Sequence, residues 1–120
     1  MKSRRVVSFV LRLGLLVALP LFAGAAVVPD TEAAKHVGET ISVRGVVAAV
    51  QVSRAGSTFL NFGKPYPNQL FSAVISKEAR SRFPDPAKWQ GKTITVTGTV
   101  KLNDKKSPQI VLENPSQVAE

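Results

Sequence analysis

Ile41-Ser42-Val43-Arg44-Gly45-Val46-Val47-Ala48-Ala49-Val50-Gln51-Val52 is the stretch on which the fold turns. It is rich in β-branched residues, and its first half alternates: Ile41 and Val43 are apolar, Ser42 and Arg44 polar. That is the period of a half-buried strand. After Gly45 the phase slips, because Val46 and Val47 are adjacent. A glycine at a phase slip predicts a bulge or sharp bend there. A long first strand that bends is how a small barrel closes.

Arg54-Ala55-Gly56-Ser57 is a turn, and Thr58–Gly63 reads as a second strand. Gly63-Lys64-Pro65-Tyr66-Pro67-Asn68 must be a loop, since two prolines and a glycine forbid regular pairing. Gln69–Ser76 is a third strand, with Leu70, Phe71, Val74 and Ile75 apolar. Ser76–Phe83 predicts a short helix, with Ser76 as N-cap, Glu78 in the first turn, Ala79 and Phe83 on one face, and Pro84 as the stop. Asp85-Pro86 opens one more turn, to Trp89. Thr93–Leu102 alternates cleanly: Ile94, Val96, Val100 and Leu102 point inward with Gly98 in phase, and the threonines point out. Asn103–Ser107 is a hairpin turn, and Gln109–Glu113 is the last strand.

The order is strand, strand, strand, short helix, strand, strand. This predicts an all-β domain with one short helix: a five-stranded OB-fold barrel with the helix between strands 3 and 4. The competing arrangement is an α+β sheet with the helix packed on one face.

Around this domain the chain divides further. Met1–Arg12 is basic, Leu13–Phe22 is a short apolar run, and Ala23-Gly24-Ala25 offers a small-x-small cleavage site. Residues 1–25 therefore read as a secretory signal, and the apolar run falls short of the ~20 residues of a membrane span. Ser3-Arg4-Arg5 faintly resembles a twin-arginine signal, but the preferred reading is the ordinary basic residues of a general secretory signal. The expectation is a periplasmic or secreted protein with no stable membrane anchor after cleavage. Residues 26–38 read as a linker, 39–116 as the domain and 117–120 as a tail.

The 120 residues suit one domain. There is no cysteine, which excludes disulfides, thiolate metal sites, a cysteine nucleophile and a lipoprotein anchor. The net charge is +8; without residues 1–25, twelve basic residues face eight acidic ones, leaving +4. That mild excess favours polyanions. No acids form a recognisable pair for hydrolytic chemistry, and His36, the only histidine, lies in the linker without ligating neighbours. The sequence therefore predicts neither enzyme, metal nor cofactor.

Val43-Arg44-Gly45-Val46-Val47 resembles the first strand of nucleic-acid-binding OB folds of the tRNA anticodon-binding type. Thr58–Gly63, followed by Tyr66-Pro67 and Leu70-Phe71, resembles a group of small bacterial OB domains found in exported proteins, sometimes attached to nucleases. The resemblance covers residues 39–116. It implies an OB fold and a binding face on strands 2 and 3, framed by the turns after strands 1 and 4.

The residues on and around that face predict the ligand. Base stacking needs exposed rings, and a phosphate groove needs cations beside them. Phe59 and Tyr66 are the candidate rings. Arg44, Arg54, Lys64, Lys101, Lys105 and Lys106 are the candidate cations. At least two of Phe59, Phe62 and Phe71 must fill the core, because strand alternation cannot turn all three outward. The reading is a binding protein for single-stranded DNA or RNA. The alternative is a periplasmic OB protein that binds a protein partner, a saccharide or a small ligand.

Overall fold

The computed structural model describes residues 26–120, so the expected signal sequence lies outside the described residues. The β-branched runs form the strands. They are β1 (Val27–Pro29), β2 (Thr40–Val52), β3 (Thr58–Phe62), β4 (Phe71–Ile75), β5 (Thr93–Leu102), β6 (Pro108–Leu112) and β7 (Val118–Ala119). Among the described residues, no helix is long and apolar enough to cross a membrane.

β2 is long enough to serve two neighbours. Its first half pairs antiparallel with β5, from Thr40↔Thr99 to Val46↔Thr93. Its second half pairs antiparallel with β3, from Val47↔Phe62 to Val52↔Thr58. β3 continues antiparallel to β4, β4 runs parallel to β6, and β6 returns antiparallel to β5. The circuit β2–β3–β4–β6–β5–β2 is a closed five-stranded barrel, the architecture of an OB fold.

The bend in β2 is not placed where the phase slip suggested. Val47 and Ala49 pair with consecutive residues of β3, so the extra residue is Ala48. Gly45 answers a different demand: a Cβ there would lie 2.7 Å from Asp30 Oδ2 and 3.1 Å from Phe62 Cδ2. The ambiguous pair also resolves, with Val47 fully buried and Val46 half exposed.

Val43, Leu60, Phe62, Phe71, Ile94 and Ile110 fill the barrel and are fully buried. Phe62 and Phe71 meet edge to face, with ring centroids 5.1 Å apart. Leu102, expected inward, is exposed, because β5 pairs with β6 only as far as Leu102↔Pro108 and the barrel ends there. Leu70, expected within the third strand, lies before it and is exposed.

Between β4 and β5 the short helix and the further turn expected there are two 3-10 helices, Lys77–Arg82 and Pro86–Trp89. Six residues ended by Pro84 are too few for an α-helix to propagate. Ser76 Oγ accepts from Ala79 N at 3.3 Å, and Ala79 and Phe83 are buried on one face. Asp85 makes no side-chain cap bond. Trp89 packs into the core, and its indole N–H donates to Glu120 at 3.1 Å.

The segments expected to be linker and tail belong to the barrel. β1 pairs parallel with β2, Val27 opposite Ser42. The 3-10 helix Asp30–His36 that follows places Ala33 in the core with no exposure. A lone buried alanine leaves no hydrophobic period, which is why the sequence read as linker. At the other end β7 pairs with β5, Val118 opposite Val96. Gln117 secures it: its Oε1 accepts from the backbone N–H groups of Glu113 and Asn114, and its Nε2 donates to the carbonyls of Thr97 and Val111.

Candidate functional site

Strand alternation decides what the outer face of β3 and β4 presents. Leu60 and Phe62 go inward, so Phe59 and Asn61 go outward; Phe71, Ala73 and Ile75 go inward, so Ser72 goes outward. Above this face lies a groove of about 870 Å³. The end of β2 walls it on one side, the β3–β4 loop on another, and the β5–β6 turn on a third.

Three of the sequence-predicted residues line it together. Phe59 is half-buried in the floor, Tyr66 projects from the β3–β4 loop with half its surface exposed, and Lys105 reaches from the β5–β6 turn. Lys105 Nζ lies 5.3 Å from the centre of the Tyr66 ring and donates to its hydroxyl at 2.8 Å. That hydrogen bond, with the attraction of the phenol, raises the Lys105 pKa above its ordinary value. The ammonium therefore stays charged throughout the neutral range.

The other five predicted residues do not line the groove. Arg44 lies on the outer face of the β2–β5 ladder, donating to Thr95 Oγ1 at 2.8 Å, because it precedes the point where β2 turns toward β3. Arg54, Lys64 and Lys106 stand exposed on the surrounding turns and loop, and Lys101 pairs across from the groove-lining Gln109 at its edge.

What the sequence reading missed is the neutral polar floor. Asn61 and Ser72 are almost completely buried on the outward face. Ser72 Oγ donates to Asn61 Oδ1 at 2.9 Å, and Asn61 Nδ2 donates to Gln51 Oε1 at 3.1 Å. This chain crosses three strands and is satisfied within the protein, which makes so polar a floor tolerable. Gln69 Oε1 is the exception, buried without a partner among the described residues. The signal in the sequence was the polar partner at each outward position, Asn61 beside Phe59 and Ser72 beside Phe71.

A second depression of about 730 Å³ lies between the end of β2 and the two 3-10 helices, with Lys77 and Arg80 on its rim. His36 lies apart from both, its Nδ1 3.0 Å from Glu39 Oε1. Among the described residues, no three His, Cys, Asp or Glu side chains converge to hold a metal ion.

No protein-family model matches the chain, and no curated protein matches it. Solved structures do. An OBody bound to hen egg-white lysozyme aligns with 75% of this chain and 86% of its own at 16% identity, with a TM-score of 0.54. A protein assigned as an aspartyl-tRNA synthetase in Leishmania major Friedlin aligns with 82% of the chain at 12% identity and a TM-score of 0.49. The aspartyl-tRNA synthetase of Entamoeba histolytica aligns with 67% at 19% and 0.44. The chain spans 21% and 18% of the length of those two synthetases. The likeness to the OBody is one of fold, and it agrees with the barrel circuit traced above.

Proposed function

We propose that this is an exported binding protein without catalytic activity, which takes single-stranded nucleic acid in the groove over β3 and β4. The observation that carries the reading is the pairing of Tyr66 with Lys105: an exposed ring and a charged ammonium held together at the groove. A base stacks on such a ring, and a phosphate pairs with such a cation. Phe59 in the floor adds a second apolar surface, and the exposed cations on the nearby turns add long-range attraction. Export rests on residues 1–25 as read from the sequence.

Fluorescence anisotropy of labelled dT and rU oligomers, titrated at low and then moderate salt, tests this. Binding should weaken steeply with salt. Tyr66→Ala should weaken it by roughly tenfold, in line with the loss of one stacked base. The Lys105→Ala/Lys106→Ala variant should flatten the salt dependence. Absence of binding at low salt overturns the reading.

One observation favours a second reading. Lys105 is the one cation lining the groove among the described residues, and amides and hydroxyls supply most of its polar groups. That chemistry also suits an uncharged polar chain such as an envelope oligosaccharide. Binding of neutral glycans that is insensitive to salt would select it.

A further inference from the structure

The second half of β2 has an edge that no strand covers. On the side away from β3, β2 pairs with β5 up to Val46, and Val47 then exchanges backbone bonds with Gly91 and Lys92. Beyond Val47, β2 pairs with β3 alone among the described residues. Ser53 N donates to Ser57 O on the β3 side, so alternation turns the backbone groups of Val50 and Val52 the other way. Val50 N accordingly donates at 3.0 Å to Gln90 Oε1, a side-chain acceptor standing where a neighbouring strand would offer a carbonyl. The carbonyl of Val50 and both backbone groups of Val52 have no strand opposite them among the described residues. This edge borders the depression between β2 and the two 3-10 helices. Buried Ile75 and Phe83 line the depression, and Val52 beside them is 55% exposed. Lys77 and Arg80 line it as well; both are exposed, and neither pairs with an acid among the described residues. Asp85 is the one acid lining it among those residues, so the local balance is basic.

An uncovered strand edge beside an apolar, basic depression fits an added strand. We infer that this edge binds an extended, acidic segment of a partner protein, which pairs with the backbone of Val50 and Val52 and sets carboxylates against Lys77 and Arg80. A peptide backbone alternates N–H and C=O groups at the spacing of such an edge, and a nucleic acid does not. The one ring lining the depression among the described residues is that of Phe83, which is buried, so bases find no surface to stack on. A second copy joined through the same edge would set the basic depression against its own equivalent, where like charges repel. The inference does not depend on what the groove over β3 and β4 binds.

The test uses the native protein and a fluorescein-labelled peptide of about ten residues in which valine and glutamate alternate, followed by anisotropy at neutral pH and low salt. The peptide should bind, and its counterpart with lysine in place of glutamate should bind at least roughly tenfold more weakly. Lys77→Glu/Arg80→Glu should weaken the acidic peptide by roughly tenfold as well. Both side chains are exposed, so the barrel should fold as before. Backbone pairing is tested without altering the protein, by N-methylating the peptide either at its valines or at its glutamates. Only alternate residues of a strand turn their N–H toward one neighbour, so one set should abolish binding and the other should leave it. Amide shifts in NMR spectra should centre on Val50–Val52 and Lys77–Arg80. Absence of binding at low salt overturns the inference, as do equal effects of the two methylated sets or shifts centred elsewhere. Displacement of the peptide by a dT oligomer with the same residues shifting would assign the edge to nucleic acid and overturn it. A dimer in sedimentation that the peptide dissociates would give the edge to a second copy, with the same consequence.

Discussion

Asn61 and Gln69 sit at the same groove and obey one rule with opposite results. Asn61 is buried and bonded at both ends, to Ser72 and Gln51. Asn61→Leu removes the acceptor of the buried Ser72 hydroxyl, and an orphaned buried group costs about 1–3 kcal/mol. Urea unfolding of the variant should show a loss of that size. Gln69 Oε1 is already an orphan. Gln69→Leu removes a desolvated acceptor without stranding a partner, so the same measurement should show stability unchanged or raised by up to about 1 kcal/mol. Residue types told these positions apart only weakly: both are amides beside apolar neighbours, and the sequence carries no record of which oxygen finds a donor.

Among the strands, β5 shows how packing constrains an inward glycine. A Cβ on Gly98 would lie 2.6 Å from Ile110 Cγ2 on the neighbouring strand β6, where Ile110 pairs with Val100. Gly98→Ala should therefore destabilise the barrel by about 1–3 kcal/mol through overpacking, measured by denaturant midpoint at constant slope. The inward phase of Gly98 was legible from the alternation of Thr93–Leu102, because a two-residue period survives a missing side chain. Its tight contact was not, because Ile110 is distant in sequence. β7 depends on Gln117 in a similar way. The four bonds of that side chain join the end of β6, the start of the 3-10 helix Pro115–Gln117 and β5. Gln117→Ala should cost about 2 kcal/mol, and hydrogen exchange should locate the loosening at Val118–Ala119 and its partners in β5.

At the scale of the molecule, the barrel incorporates its own flanks. β1 covers part of the edge of β2 left by β3, and Ala33 is buried beside strands from around the circuit. A chain lacking residues 26–38 should still collapse, since the strands of the circuit remain, but its thermal midpoint should fall by roughly 10 °C or more relative to residues 26–120. Differential scanning calorimetry on the two chains gives that comparison directly. An unchanged midpoint would return the segment to the role of a linker.

The sequence by itself determined the five strands of the barrel circuit, most of their inward faces and the loop rich in proline, because a two-residue period and the backbone limits of proline and glycine act locally. It also marked Phe59, Tyr66 and Lys105 as residues for one site, since the strand order brings their elements to one side of a barrel. The tertiary structure alone decided the rest. Arg44 left the site because β2 changes partners after it, and Ala33 and Gln117 joined the fold through contacts far along the chain. Which amide at the groove found partners was also settled there, Asn61 with Ser72 and Gln51 but Gln69 Oε1 with none among the described residues, because the neighbours of a buried amide come from other strands.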